Sequence, residues 1–131
     1  MKLVIKYVEN NYMEKISIAD MAKELDFSES HFMKFFKDTM GTSFTSYLNE
    51  YRLTMVSRLL ISSESSILDI AAESGFDNLS YFNRMFKRRF GMTPREYRKK
   101  FTENWFLLLI FFEMVLSHYC INTSKPPSHR W

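Results

Sequence analysis

The chain has 131 residues, an apolar content of 46% and a net charge of +3, which fits one compact domain or two very small ones that share a core. Three glycines, three prolines and no long alternation of β-branched with polar residues favour an all-α fold. The single cysteine excludes a disulfide framework and a multi-cysteine zinc site, and with the expected absence of a signal peptide it predicts a reducing, cytoplasmic setting.

Apolar side chains at helical spacing predict four helices in the first half of the chain, near residues 3–12, 18–25, 28–40 and 43–61. The first helix presents an apolar face formed by Leu3, Val4, Tyr7 and Val8. The fourth presents a longer apolar stripe formed by Phe44, Tyr47, Leu48, Tyr51, Met55 and Leu59. At about 1.5 Å per residue, this fourth helix is about 27 Å long.

Three further helices and an apolar tail are predicted in the second half. The helices are expected near residues 67–74, 78–90 and from 94 onward, after a polar stretch at 62–66. Thr93 as N-cap, Pro94 at the first position and Glu96 at the third predict a capping box for the seventh helix. The run 105–116, apolar except for Glu113, predicts an extra C-terminal helix.

The chain contains an internal repeat. Ile18-Ala-Asp-Met-Ala-Lys-Glu-Leu-Asp-Phe27 returns 49 residues later as Ile67-Leu-Asp-Ile-Ala-Ala-Glu-Ser-Gly-Phe76. The offset is then 50, so that Phe32, Phe36, Lys37, Gly41 and Tyr47 return as Phe82, Phe86, Lys87, Gly91 and Tyr97. One residue is therefore inserted near Asp77. A duplicated pair of helices that is too small to bury its own core indicates a tandem binding module, and its spacing is typical of the helix-turn-helix.

In a helix-turn-helix, the second or recognition helix turns its outer face to the major groove of DNA. The candidate base-contacting residues on the two outer faces are Ser30, Met33, Lys34, Leu79, Ser80, Asn83 and Arg84. Arg84 can donate two hydrogen bonds to guanine, and Asn83 can pair with adenine. The candidate phosphate-contacting residues are Ser28, Lys37, Asn78, Lys87, Arg88 and Arg95. Each of these side chains, taken alone, is equally well explained as a solvated polar group.

Positive charge is concentrated in the second repeat. Residues 84–100 hold eight Lys or Arg against one Asp or Glu, whereas residues 1–83 hold eight against twelve. The recognition segment 28–40 has no net charge, and 78–90 has a charge of +4. Clustered cations attract polyanions even when the whole protein is nearly neutral. The second unit is therefore expected to supply most of the nonspecific affinity for DNA.

The stretch from Ile70 to Arg98 resembles the second-unit signature of the AraC/XylS family of bacterial transcription regulators, and the resemblance covers roughly residues 1–101. It implies a seven-helix double helix-turn-helix domain that binds promoter DNA and activates transcription together with RNA polymerase. It also implies that Arg52 occupies a basic position of the family, structural or facing a phosphate, and Arg52 is therefore included among the candidate phosphate-contacting residues. Most members carry a further sensing or dimerising domain, so the chain is expected to be a short member or a DNA-binding fragment.

The expected organisation is unit one at about 1–42, a linker helix at about 43–61, unit two at about 66–101 and a C-terminal extension at 102–131. Successive major-groove faces lie about 34 Å apart. A linker of about 27 Å, with the half-widths of the units it joins, brings two recognition helices near that separation. The sequence therefore predicts that one nucleoid-associated chain fills two adjacent grooves of an asymmetric site of about 20 bp.

The tail leaves alternatives open. The apolar stretch 105–121 predicts an extra helix packed on the domain, an oligomer interface or an interfacial segment, and residues 124–131 are expected to be disordered. A membrane span is disfavoured because it needs about 20 apolar residues. The second hypothesis is a protein-interaction or membrane-tethered regulator whose tail docks a partner or a bilayer. An enzyme is not expected, since the three histidines are scattered and no phosphate-binding loop, metal site or cofactor motif occurs.

Overall fold

The computed structural model describes residues 1–123, without the side chains of residues 105, 106, 108 and 118–123. Over the described range the chain forms eight helices and no strand. They are α1 (Lys2–Asn11), α2 (Ile18–Glu24), α3 (Glu29–Met40), α4 (Phe44–Ser62), α5 (Ile67–Glu73), α6 (Leu79–Phe90), α7 (Pro94–Glu103) and α8 (Trp105–Thr123). The prediction of an all-α fold with seven helices and an extra C-terminal helix is confirmed. The disorder expected at 124–131 lies outside the described residues.

Side-chain caps determine where the helices begin. The side chains that accept a hydrogen bond from the backbone N–H three residues later belong to Ser17, Ser28, Ser43, Ser66, Asn78 and Thr93. At α7 the predicted capping box is complete, because the Thr93 N–H also donates to the Glu96 carboxylate at 3.0 Å. Gly41 and Gly91 end α3 and α6 in the left-handed conformation, with φ of 75° and 72°. These local signals explain why the predicted boundaries agree with the structure.

Each helix-turn-helix unit has its own hydrophobic core, and α4 belongs to both. The first core consists of Val4, Val8, Met21, Ala22, Phe32, Phe36, Phe44 and Leu48. The second consists of Leu53, Val56, Leu60, Ile70, Ala71, Phe76, Phe82 and Phe86. The N-terminal half of α4 therefore completes unit one, and its C-terminal half completes unit two.

The apolar stripe predicted for α4 is correct in its first half and incomplete in its second. Phe44 and Leu48 are buried as predicted, but Met55 and Leu59 are only half-buried, whereas Leu53 is fully buried. Leu53 follows Phe44 by about two and a half helical turns and so faces the opposite side of α4. The two cores lie against different sides of the helix, which a single continuous stripe does not describe.

The apolar face predicted for α1 is also only partly correct. Val4 and Val8 are buried, with exposed fractions of 2% and 0%, but Leu3 is 72% exposed. The buried partner that the sequence pattern missed is Met21 of α2, which is 1% exposed. Tyr7 packs against the same core and is partly buried, whereas Leu3 is not among the residues that pack there.

The two helix-turn-helix turns differ by one residue, as predicted. Four residues (25–28) separate α2 from α3, and five (74–78) separate α5 from α6. Each turn contains one residue in the left-handed conformation, which is Asp26 (φ 57°) in unit one and Gly75 (φ 91°) in unit two. The extra residue therefore lies in the second turn, after the left-handed position.

The C-terminal helix α8 contacts α7, and its described apolar side chains are exposed. The exposed fractions between residues 107 and 116 range from 43% for Leu109 to 66% for Phe111 and Met114. Packing of α8 on the domain, one of the expected alternatives, is therefore not found for the side chains that are described. None of the helices in residues 1–123 combines the length and the apolarity that crossing a membrane requires.

Candidate nucleic-acid interface

The two recognition helices α3 and α6 have the same pattern of burial at every equivalent position. Phe32 and Phe36 of α3, like Phe82 and Phe86 of α6, are completely buried and hold the helices against their cores. All the predicted base-contacting residues lie on the exposed side, and they are Ser30, Met33, Lys34, Leu79, Ser80, Asn83 and Arg84. The duplicated sequence thus produces two outer faces with the same shape and different chemistry.

Lys34 and Arg84 lie at the centre of these outer faces. Each follows a fully buried phenylalanine, Phe32 or Phe82, by two residues, which is about 200° around a helix. A long cationic side chain in that position points away from the core, and it would face the base edges if the helix lies in a major groove of DNA. The exposed apolar residues Met33 and Leu79 (45% and 40% exposed) lie nearer the edges of the faces.

The predicted phosphate contacts Ser28 and Asn78 are the N-caps of the recognition helices. Ser28 Oγ accepts from the His31 N–H at 3.2 Å, and Asn78 Oδ1 accepts from the Tyr81 N–H at 2.9 Å. Both side chains keep a donor, since a hydroxyl proton and an amide NH₂ group are not used by these bonds. Backbone N–H groups at a helix start also favour an anion. The two helix starts are therefore suited to phosphate groups.

Arg52 does not lie on either outer face. Its side chain is 9% exposed, its Nε donates to the Tyr12 carbonyl and its Nη2 donates to the Glu14 carbonyl, both at 2.8 Å. Burial lowers the Arg52 pKa, and the nearby Asp77 carboxylate raises it. Of the two roles left open by the sequence, the structure supports the structural one. Its burial and its bonds to backbone carbonyls do not support the place of Arg52 among the predicted phosphate contacts.

Arg52 and Gly75 form a joint between the two units. A Cβ atom on Gly75 would lie 2.6 Å from the Tyr12 carbonyl oxygen and 2.8 Å from Arg52 Nε. The guanidinium therefore fills the space between the α1–α2 loop of unit one and the α5–α6 turn of unit two. Asp77, the inserted residue, follows in the same turn. This joint was not predicted, although the exchange of Asp26 for Gly75 between the repeats was a visible signal.

Two further contacts connect α4 with α6. The Glu50 carboxylate pairs with Arg89 Nε at 2.7 Å, and Asn49 Nδ2 donates to the Tyr81 hydroxyl at 3.3 Å. An open cleft of about 560 Å³ lies along this contact and includes Arg88 in its lining. These contacts orient α6 relative to the long helix that both units share.

Some of the basic residues near position 90 have structural roles. Arg89 pairs with Glu50, and Arg98 donates to the carbonyls of Leu60 and Ser65 at 3.0 and 2.7 Å, which ties α7 to the α4–α5 connection. Arg89 is itself exposed, and the other exposed cations of this cluster are Arg84, Lys87, Arg88, Arg95, Lys99 and Lys100. Within the described part of the chain, no group of three or more His, Cys, Asp or Glu side chains is placed to hold a metal ion.

Comparison with known proteins identifies the class. A family model described as "Helix-turn-helix domain" matches residues 21–100. Regulatory protein PocR of Salmonella typhimurium is 32% identical over 104 residues, which cover 79% of this chain and 34% of PocR. The crystal structure of a DNA-binding transcriptional dual regulator from Escherichia coli K-12 matches with a TM-score of 0.67 and 31% identity, over 74% of this chain and 92% of that one.

The DNA-binding domain of AdpA, solved in complex with a target DNA, has the same fold, with a TM-score of 0.73 at 23% identity over 79% of this chain and 92% of that one. The chain therefore belongs to the AraC family of helix-turn-helix regulators. The matched range 21–100 ends before α8, and the findings do not favour the alternative in which the apolar tail defines the function.

Proposed function

We propose that the protein is a sequence-specific transcription regulator, an activator, that places α3 and α6 in neighbouring major grooves of promoter DNA. The observation that carries this proposal is the pair of matched outer faces, each with a central cation and exposed groove-compatible side chains. The printed descriptions of PocR as a regulatory protein and of AdpA in complex with target DNA support it.

The long helix α4 supports simultaneous binding by both units. Its 19 residues correspond to a rod of about 28 Å, and its two halves are embedded in the two cores. Neighbouring major-groove faces are about 34 Å apart. The length of α4, together with the half-widths of the two helix-turn-helix units at its ends, is close to this distance, so α3 and α6 can enter both grooves. Because the outer faces differ in sequence, the proposed site is asymmetric and about 20 bp long. The domain division we infer is 1–101 for DNA binding and 102–131 for the extension.

The remaining assignments are inferences that family membership supports. The chain spans 34% of the length of PocR, and the activity of a longer protein is part of the proposal. We infer contact with RNA polymerase, a sensing domain on a longer form of the protein, and a cytoplasmic, nucleoid-associated location. No catalytic function is proposed, since the AraC family is a class of DNA-binding regulators.

The proposal is tested first at Arg84. A preferred site is selected from a random DNA pool, and the affinity of Arg84→Ala is measured for that site and for its single-base variants. Loss of a bidentate contact with guanine should cost about 1–3 kcal/mol and relax the preference at one base pair. Lys87→Ala is the matched control, because loss of a phosphate contact should weaken binding to all sequences alike. An unchanged preference in Arg84→Ala would remove Arg84 from the base-contacting set.

A further inference from the structure

Tyr81 connects the shared helix α4 with the centre of the second outer face. Its hydroxyl accepts a hydrogen bond from Asn49 Nδ2 at 3.3 Å, and Asn49 itself is only 8% exposed. On the other side, the Arg84 guanidinium carbon lies 6.0 Å from the centroid of the Tyr81 ring. The ring is 41% exposed. It is therefore held at its hydroxyl end and still presents a face to the arginine.

We propose that Tyr81 is a positioning residue for Arg84 and thereby sets the base selectivity of the second recognition helix. This inference rests on the proposed function, in which Arg84 contacts a base. An arginine on an exposed helix face samples many rotamers and loses that freedom when it binds. An aromatic face attracts the guanidinium and restricts where its planar fork lies before DNA arrives. Tyr81 thus favours the one geometry in which both hydrogen bonds to a base edge form.

The first recognition helix lacks this arrangement. The residue equivalent to Tyr81 is His31, and its ring stacks on Phe27 at a centroid separation of 4.1 Å with an interplanar angle of 30°. His31 is thereby engaged with the turn of its own unit. The positioning effect is therefore expected for Arg84 and not for Lys34, which makes His31 the matched control position for Tyr81.

Contacts from α4 hold Tyr81 and the helix that carries it. Asn49 and Glu50 are adjacent on α4, and they hold two residues of α6, Tyr81 through a hydrogen bond and Arg89 through an ion pair. The Glu50–Arg89 pair lies in the last turn of α6, whereas the Asn49–Tyr81 bond lies in its first turn and holds the ring that contacts Arg84. Substitution of Tyr81 should for this reason change selectivity at one base pair without changing the fold of unit two.

The experiment compares the full chain with Tyr81→Ala, Tyr81→Phe, Arg84→Ala, the double variant Tyr81→Ala/Arg84→Ala and the control His31→Ala. For each, affinity is measured for the selected site and for its single-base variants, and thermal unfolding confirms the fold. Tyr81→Ala should lower discrimination about two- to five-fold at the base pair that Arg84→Ala relaxes, the factor expected for an exposed cation–π contact. Tyr81→Phe keeps the ring and should lose less, and His31→Ala should leave that base pair unaffected.

The double variant separates positioning from a general structural effect. If Tyr81 acts through Arg84, discrimination in Tyr81→Ala/Arg84→Ala should equal that in Arg84→Ala alone. The inference is overturned if Tyr81→Ala leaves the discrimination unchanged, lowers it equally at all base pairs, or lowers it further in the absence of Arg84. A failure of the proposed function looks different, because Arg84→Ala would then relax no base pair and the Tyr81 variants would have nothing to modify.

Discussion

Two residues at the joint between the units, Arg52 and Gly75, depend on each other. The Arg52 guanidinium donates to two carbonyls of the α1–α2 loop and occupies the space that a side chain on Gly75 would need. The two hydrogen bonds offset part of the cost of burying the guanidinium. Removal of the guanidinium would leave the two carbonyls without these donors, and a side chain on Gly75 would overlap with it. The relative placement of the units is therefore sensitive to single substitutions here.

Gly75→Ala should destabilise the protein by about 2–5 kcal/mol, because left-handed strain and overpacking add. Its new Cβ would lie 2.6 Å from the Tyr12 carbonyl oxygen. Gly91→Ala is the control, since Gly91 has a similar φ of 72° and nothing within 4 Å of the Cβ position. It should cost only about 1–2 kcal/mol. Urea unfolding measures both, and equal costs would mean that the joint accommodates a methyl group.

Arg52→Ala should lower the free energy of unfolding by about 1.5–3 kcal/mol, through loss of charged hydrogen bonds to buried carbonyls. It should leave the salt dependence of DNA binding unchanged, because the guanidinium contacts protein. Lys87→Ala should do the reverse, with little effect on stability and a log–log salt slope smaller in magnitude by about 1. A reduced slope in Arg52→Ala would restore Arg52 to the phosphate-contacting set.

At the scale of elements, α4 shows what a sequence pattern can and cannot predict. Its start follows from the Ser43 cap, so its limits were predicted to within one residue. Its buried face was not, because Phe44 and Leu53 pack against two separate cores on opposite sides. Periodicity assumes one buried side per helix. A helix shared by two units violates that assumption, and only the tertiary arrangement shows it.

Removal of α8 should leave the DNA-binding units intact and reduce self-association. A chain of residues 1–103 loses a helix whose described apolar side chains are exposed, and its free energy of unfolding should change by less than about 0.5 kcal/mol. Sedimentation velocity at several concentrations should show association of the full chain and a monomer for 1–103, since large exposed apolar surfaces associate. A lower unfolding temperature for 1–103 would show instead that α8 stabilises the domain.

At the scale of the whole molecule, the duplication explains most of what could be predicted. The repeat places caps, helix-ending glycines and buried phenylalanines in the same order twice, so the fold and the two outer faces follow from local signals. The contacts that connect the units, Arg52 with Gly75 and Glu50 with Arg89, join residues far apart in the chain. The hydrophobic periodicity of the sequence does not predict such contacts, because they depend on how the two cores are placed around α4.

The unequal charge of the two recognition helices also acts at this scale. The segment 78–90 has a charge of +4, and the segment 28–40 has no net charge. One of the four cations in 78–90, Arg89, pairs with Glu50 of α4. About six phosphate contacts over both units should give a log–log slope of affinity against salt of about −5 to −6. Filter binding or anisotropy at several salt concentrations measures it. A slope near −2 would indicate that only a small part of the surface contacts DNA.

The central claim is that both recognition helices occupy neighbouring major grooves of one duplex at the same time. Hydroxyl-radical footprinting of the full chain on a selected site tests it most directly. We expect protection over about 20 bp, in two patches with centres about 10–10.5 bp apart, from a single bound chain. Protection confined to one patch of about half that length, with occupancy unaffected by Lys34→Ala, would contradict the claim.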